Sequence, residues 1–92
     1  MANLQLALKA EYFDQIKAGL KDHEYREITP YWKKRLEGRT YDRVILTRGY
    51  PKKTDQSRRL EFPWRGVTKM DILHPHFGSD FVEVYAIRVG QR

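Results

Sequence analysis

The sequence predicts a small α+β mixed barrel of about five strands with two helices. Three observations point there: apolar alternation at Leu4, Leu6 and Leu8, an amphipathic segment stopped by Gly19, and a long apolar stretch over residues 81–89. A chain of 92 residues, 40% hydrophobic and 13% aromatic, has room for one modest core. Residues 1–92 are therefore read as a single domain.

Taken in order, Leu4 to Leu8 is the first strand, with its three leucines on one face. Residues 10–18 follow as a helix. Phe13, Ile16 and Leu20 recur at intervals of three and four, with Glu11 and Asp14 early and Lys17 late, as the helix dipole favours. Gly19 is the natural stop, because glycine takes positive φ without a Cβ clash. Lys9 offers no capping oxygen at the other end. Residues 21–27 return as a strand. Thr29-Pro30 opens a second helix, a hydroxyl cap followed by proline at the first helical position. It runs over 30–37 to Gly38 and is expected to tuck Tyr31 or Trp32, with Leu36, against the sheet.

Residues 43–47 (Arg-Val-Ile-Leu-Thr) suit a buried strand, and 49–57 have loop composition. Leu60, Phe62 and Trp64 alternate until Pro63 and Gly66 interrupt. An edge or bulge is expected there, before Thr68, Met70 and Ile72 resume the period of two. His74-Pro-His-Phe-Gly78 reads as a turn ahead of the last strand. The order is β-α-β-α-β-β-β.

The net charge is +6, with nine Lys and Arg against seven acids in residues 1–46 and nine against five in 47–92. Arg48, Lys52, Lys53, Arg58 and Arg59 carry the excess, opposed locally by Asp55 alone, which favours a polyanionic partner. No apolar run approaches the ~20 residues that span a bilayer. The N-terminus lacks the basic and apolar regions of a signal peptide. With no cysteine there is neither a disulfide framework nor a thiolate metal site. A cytoplasmic monomer with no membrane partner is expected.

The densest chemistry lies in Gly19, Lys21, Glu24 and Arg26. Glu24 and Arg26, two apart on a strand, share a face, and Lys21 at the turn leans over it. A lysine beside a carboxylate in a partly desolvated pocket holds an oxyanion, while the carboxylate activates water or shuttles a proton. Arg26 offers a planar fork for a phosphate or a pyrimidine carbonyl. The competing reading is a surface salt-bridge ladder, worth ~0–1 kcal/mol and without function.

Tyr50, in the basic loop beside Pro51, is a candidate base-stacking platform, and Arg48, directly after a buried strand, is a candidate to aim into a cleft. Lys52, Lys53, Arg58 and Arg59 read as charges that track a nucleic-acid backbone without base specificity. Tyr12, Phe13, Tyr31, Trp32, Phe62, Trp64 and Tyr85 are core candidates. His74 and His76 with Glu83 are weighed as a metal site, but two histidines across a proline in a turn are unspecific, and no metal or cofactor is expected. His23 alternates away from Glu24.

The spacing Gly-x-Lys-x-x-Glu-x-Arg resembles the signature of the ASCH domains, a branch of the PUA-like superfamily of RNA-associated barrels. The likeness runs through the first strand and helix, the Thr-Pro-Tyr-Trp helix, the stretch from Arg43 to Gly49, and the closing strand Tyr85-Ala-Ile-Arg-Val89. It implies a β-barrel with a cleft beside the signature, holding RNA or a modified nucleoside. Two activities belong to that family: hydrolysis of N(4)-acetylcytidine to cytidine and acetate by a lysine, a threonine and a glutamate, and a ribonuclease-like activity. Carried over, the lysine falls on Lys21, while Glu24 stands at the threonine's position. A threonine-based attack is thus replaced by water activated at Glu24. The family's distal glutamate has no secure counterpart: Glu83, Asp80 or a histidine stand as alternatives. The expected function is deacylation of N(4)-acylated cytidine, with Lys21 and Glu24 catalytic and Arg26, Arg48 and Tyr50 binding substrate. An RNA-binding module or a ribonuclease in the same basic cleft is the alternative.

Overall fold

The computed structural model describes residues 2–73 and 80–90. Among these the chain forms an α+β structure of two helices and six strands in two three-stranded sheets. The order is β1 (Leu4–Leu8), α1 (Ala10–Lys17), β2 (His23–Glu27), α2 (Pro30–Leu36), β3 (Arg43–Arg48), β4 (Arg59–Pro63), β5 (Val67–Ile72) and β6 (Val82–Arg88). A short 3-10 turn at Gln56–Arg58 precedes β4.

The first sheet has the order β1-β3-β4. β1 runs parallel to β3, from Leu4 opposite Val44 to Leu8 opposite Arg48, and β4 is antiparallel to β3. The second sheet, β2-β6-β5, is antiparallel throughout, with Glu24 opposite Ile87 and Arg26 opposite Tyr85. Leu4, Leu6, Leu8, Val44, Leu46 and Phe62 of the first sheet meet Tyr85, Ile87 and Val89 of the second chain segment. Phe13 and Ile16 of α1 and Leu36 of α2 close that core. Among the described residues no strand pairing joins the two sheets.

Both helix starts follow the sequence. The Thr29 hydroxyl accepts a hydrogen bond from the Trp32 amide at 3.3 Å, while Lys9 makes no side-chain cap. α1 stops in a Schellman arrangement: Gly19, at φ +79°, donates to the Ile16 carbonyl, and Leu20 donates to that of Gln15. That turn also corrects one expectation. Leu20 lies past the helix and is 81% exposed, so it does not extend the Phe13–Ile16 stripe.

The strand count differs as well. The expected single strand over residues 60–72 is two strands in different sheets, β4 beside β3 and β5 beside β6. Pro63 ends the first, and Gly66, at φ +87°, turns the chain between them. The anticipated bulge is therefore a corner from one sheet to the other. No helix among the described residues is long and apolar enough to cross a membrane. The turn carrying His74 and His76 lies outside the described residues.

Candidate functional site: a cleft between two open strand edges

The stop at Gly19 delivers Lys21 to the start of β2, and strand alternation does the rest. Glu24 and Arg26 lie opposite the core residues Ile87 and Tyr85, so both side chains point inward between the sheets. Glu24 is only 4% exposed. Its Oε1 accepts from Lys21 Nζ and its Oε2 from Arg26 Nη1, each at 2.9 Å. The burial corrects the competing reading of a surface salt-bridge ladder: this is a carboxylate held between two cations in the interior.

The cations are themselves walled by aromatic rings. Lys21 Nζ lies 4.4 Å from the centre of the Tyr12 ring and 5.4 Å from that of Tyr25. The Arg26 guanidinium lies 5.2 Å from the Trp32 ring. A positive charge is favoured over such faces, the more so where water is partly excluded. Burial, followed by the carboxylates of Glu11 and Glu24, pushes the Tyr12 phenol above its ordinary pKa. Burial, with Asp22 and Glu24 behind it, does the same to Tyr25.

These groups line a cleft of about 550 Å³, within the range of small-molecule sites. Ala7, Lys9, Tyr31 and Thr29 complete much of its wall, and Tyr50 stands on its rim. Arg26 spans it: Nη1 donates to the Tyr25 carbonyl on β2 at 2.8 Å and Nη2 to the Ala7 carbonyl on β1 at 3.2 Å. The cleft is thus the gap between the facing edges of β1 and β2.

Lys21, Glu24, Arg26 and Tyr50 are brought together as the sequence suggested, with Tyr50 95% exposed. Arg48 is not. Its Nε pairs with Asp14 of α1 at 3.3 Å, and it lies outside the cleft lining. Lys52 and Lys53 are exposed, Arg58 pairs with Asp55 at 3.4 Å, and Arg59 is half-buried on β4. Neither Asp80 nor Glu83 lines the cleft. Glu83 lies opposite Asp71 and is four residues along β6 from Ile87, the partner of Glu24, or roughly 13 Å at strand rise. His23 turns to Asp22 at 2.8 Å. No cluster of three metal-ligating side chains occurs among the described residues.

Tyr12 and Tyr31, expected in the core, line the cleft instead, whereas Trp32 packs against the core as expected and lines the cleft as well. For Tyr12 a signal existed: it stands one position off the Phe13–Ile16 stripe, about 100° round the helix. Tyr31 and Trp32 sit in the first turn of α2, edge to face at 5.0 Å, where the capped start faces the cleft. Chemically, the site offers a carboxylate with lone pairs to spare, an ammonium with two further N–H donors, and flat apolar walls. No family model matches the chain, and no curated protein or solved structure matches it.

Proposed function

We propose that this chain is an ASCH-type domain of the PUA-like superfamily, its two sheets being the sides of a barrel open between β1 and β2. In that cleft it hydrolyses N(4)-acylated cytidine to cytidine and a carboxylate. The observation that carries the reading is Glu24, buried to 4% exposure between Lys21 and Arg26 in an aromatic-walled cavity. Nothing in the core's packing calls for a doubly paired carboxylate there, because burying charge is costly.

Glu24 takes a proton from water as the oxygen attacks the acyl carbon. The Lys21 ammonium donates to the oxyanion that forms. The C–N bond then breaks, N4 of cytosine receives the proton from Glu24, and the carboxylic acid leaves and gives its remaining proton to solvent as the carboxylate. An exocyclic acyl group on cytosine is a more activated amide than a peptide, because the ring delocalises the departing nitrogen's electrons. Tyr12, Tyr31 and Trp32 supply faces for the pyrimidine.

The test is chromatography of N(4)-acetylcytidine incubated with the pure protein. Appearance of cytidine and acetate supports the hydrolase, and unchanged substrate at high protein concentration rejects it. One observation favours a second reading, an RNA-binding module: Tyr50, 95% exposed on the rim, adjoins the exposed Lys52 and Lys53. Tight RNA binding without product identifies that case, and shortened RNA identifies the ribonuclease.

A further inference from the structure

The edge of β1 that faces the cleft is bare main chain. Alternate residues of a strand direct their N–H and C=O groups to opposite edges. The even-numbered residues of β1 face β3: the Leu8 carbonyl accepts from Gly49 and the Ala2 carbonyl from Asp42, both at 2.9 Å. Gln5 and Ala7 therefore present their amide groups to the gap, and the Arg26–Ala7 bond confirms the direction. Arg26 occupies the Ala7 carbonyl. Among the described residues nothing takes the Gln5 carbonyl or the Ala7 N–H, although both residues line the cavity.

A carbonyl at one position and an N–H two residues on form an acceptor–donor pair along one strand edge. That pair complements a ring nitrogen beside an exocyclic N–H. In cytosine these are N3 and the N4 hydrogen, and acylation of N4 leaves both in place. Uracil reverses the pattern. We propose that Gln5 C=O and Ala7 N–H read this edge of the base by main-chain hydrogen bonds, so that β1 sets selectivity for cytosine-type rings over uracil. The inference rests on the cytidine reading above and deepens it. It places base selection on β1 and leaves Lys21 and Glu24 free to face the acyl group.

Ala7→Pro removes the N–H in question and keeps the carbonyl that Arg26 holds. The lost donor lies outside the β1–β3 ladder, a position where an edge strand tolerates proline. Binding of cytidine, 3-deazacytidine (which lacks the N3 acceptor) and uridine is measured by calorimetry on the intact chain and on the variant. Cytidine should bind the unaltered protein roughly tenfold more tightly than either analogue, as loss of one hydrogen bond with an orphaned partner predicts. Ala7→Pro should lose about the same factor for cytidine and nothing further for 3-deazacytidine. Equal binding of cytidine and 3-deazacytidine by the unaltered protein overturns the inference, even if the variant fails to fold. Cytidine binding unchanged in a folded Ala7→Pro also overturns it. In both cases the hydrolase reading still stands if N(4)-acetylcytidine is cleaved. Failure to bind any of the three nucleosides or to cleave N(4)-acetylcytidine removes both.

Discussion

Arg26 and Ala7 face each other across the gap between β2 and β1, with Nη2 donating to the Ala7 carbonyl at 3.2 Å. The same guanidinium holds the Tyr25 carbonyl and Glu24, so one side chain does what a row of strand hydrogen bonds does elsewhere. It is a clasp between β1 and β2. Arg26→Ala should cost about 3–5 kcal/mol, because it leaves two carbonyls open and a buried carboxylate with one cation. Arg26→Lys should lie in between, since an ammonium cannot reproduce the fork. Urea denaturation measures both, and a loss below 1 kcal/mol for the alanine variant would show that the clasp is not structural.

Lys21 and Glu24 should now prove costly for folding as well as for turnover. Lys21→Met should lower stability by about 3 kcal/mol and hydrolysis of N(4)-acetylcytidine by ~100-fold or more. Glu24→Asp separates the two effects: it keeps the charge and much of the stability, yet draws the base back by one methylene. Turnover measured well below each variant's melting temperature should still fall for Glu24→Asp. A rate that merely follows the folded fraction would return Glu24 to a structural role.

Stability should bend with pH at the middle of β6. The buried Tyr85 hydroxyl donates to Glu37, and Lys69 Nζ stands 3.7 Å from the same carboxylate. Burial first, then Glu37, pushes Tyr85 up from 10.0 to about 12. Because the folded pKa is the higher, its contribution is complete below pH 10 and lost as pH rises towards 12. The hydrogen bond from Tyr85 leads in holding Glu37 below its usual value, so that contribution is lost as acid protonates the folded carboxylate. Tyr85→Phe should flatten the alkaline limb and shift the acid limb of a denaturation series. Unaltered limbs would show the pair to be uncoupled from folding.

Polyanion binding through the 48–59 segment should depend on fewer charges than the sequence advertises. Arg48 and Arg58 are paired with Asp14 and Asp55, whereas Lys52 and Lys53 are exposed. Replacing both lysines by Gln should reduce the slope of log RNA affinity against log salt by roughly 1.4, about 0.7 for each contact to a single strand. Replacing Arg48 should change it little. Titrations at several salt concentrations decide the matter, and an unchanged slope for the lysine pair would mean that the loop is only solvated.

Much of the fold was legible because local rules acted on local stretches. Thr29-Pro30 announces α2, and Gly19 ends α1 as its positive φ permits. Strand parity alone placed Glu24 and Arg26 on one face. Which way that face pointed depended on β6, more than sixty residues away, so the burial of Glu24 could not be read locally. The same holds for residues 60–72, where alternation continues through a corner that only the pairing partners reveal. Tyr12 and Tyr31 share composition with core aromatics, and only the gap between the sheets distinguishes a wall from an interior.

The central place of β6 also governs when this fold can form. β6 lies between β2 and β5, though it follows both in the chain, and it pairs His23 with Arg88. The first sheet is little more local, since Leu4 waits for Val44. Pairings so distant in sequence make loop closure the slow step, so refolding is expected in milliseconds to seconds rather than microseconds. On the ribosome the consequence is sharper. β2 has no strand to bind until residues 82–88 emerge, so Lys21, Glu24 and Arg26 stay apart from their cleft until nearly all of these residues have been made.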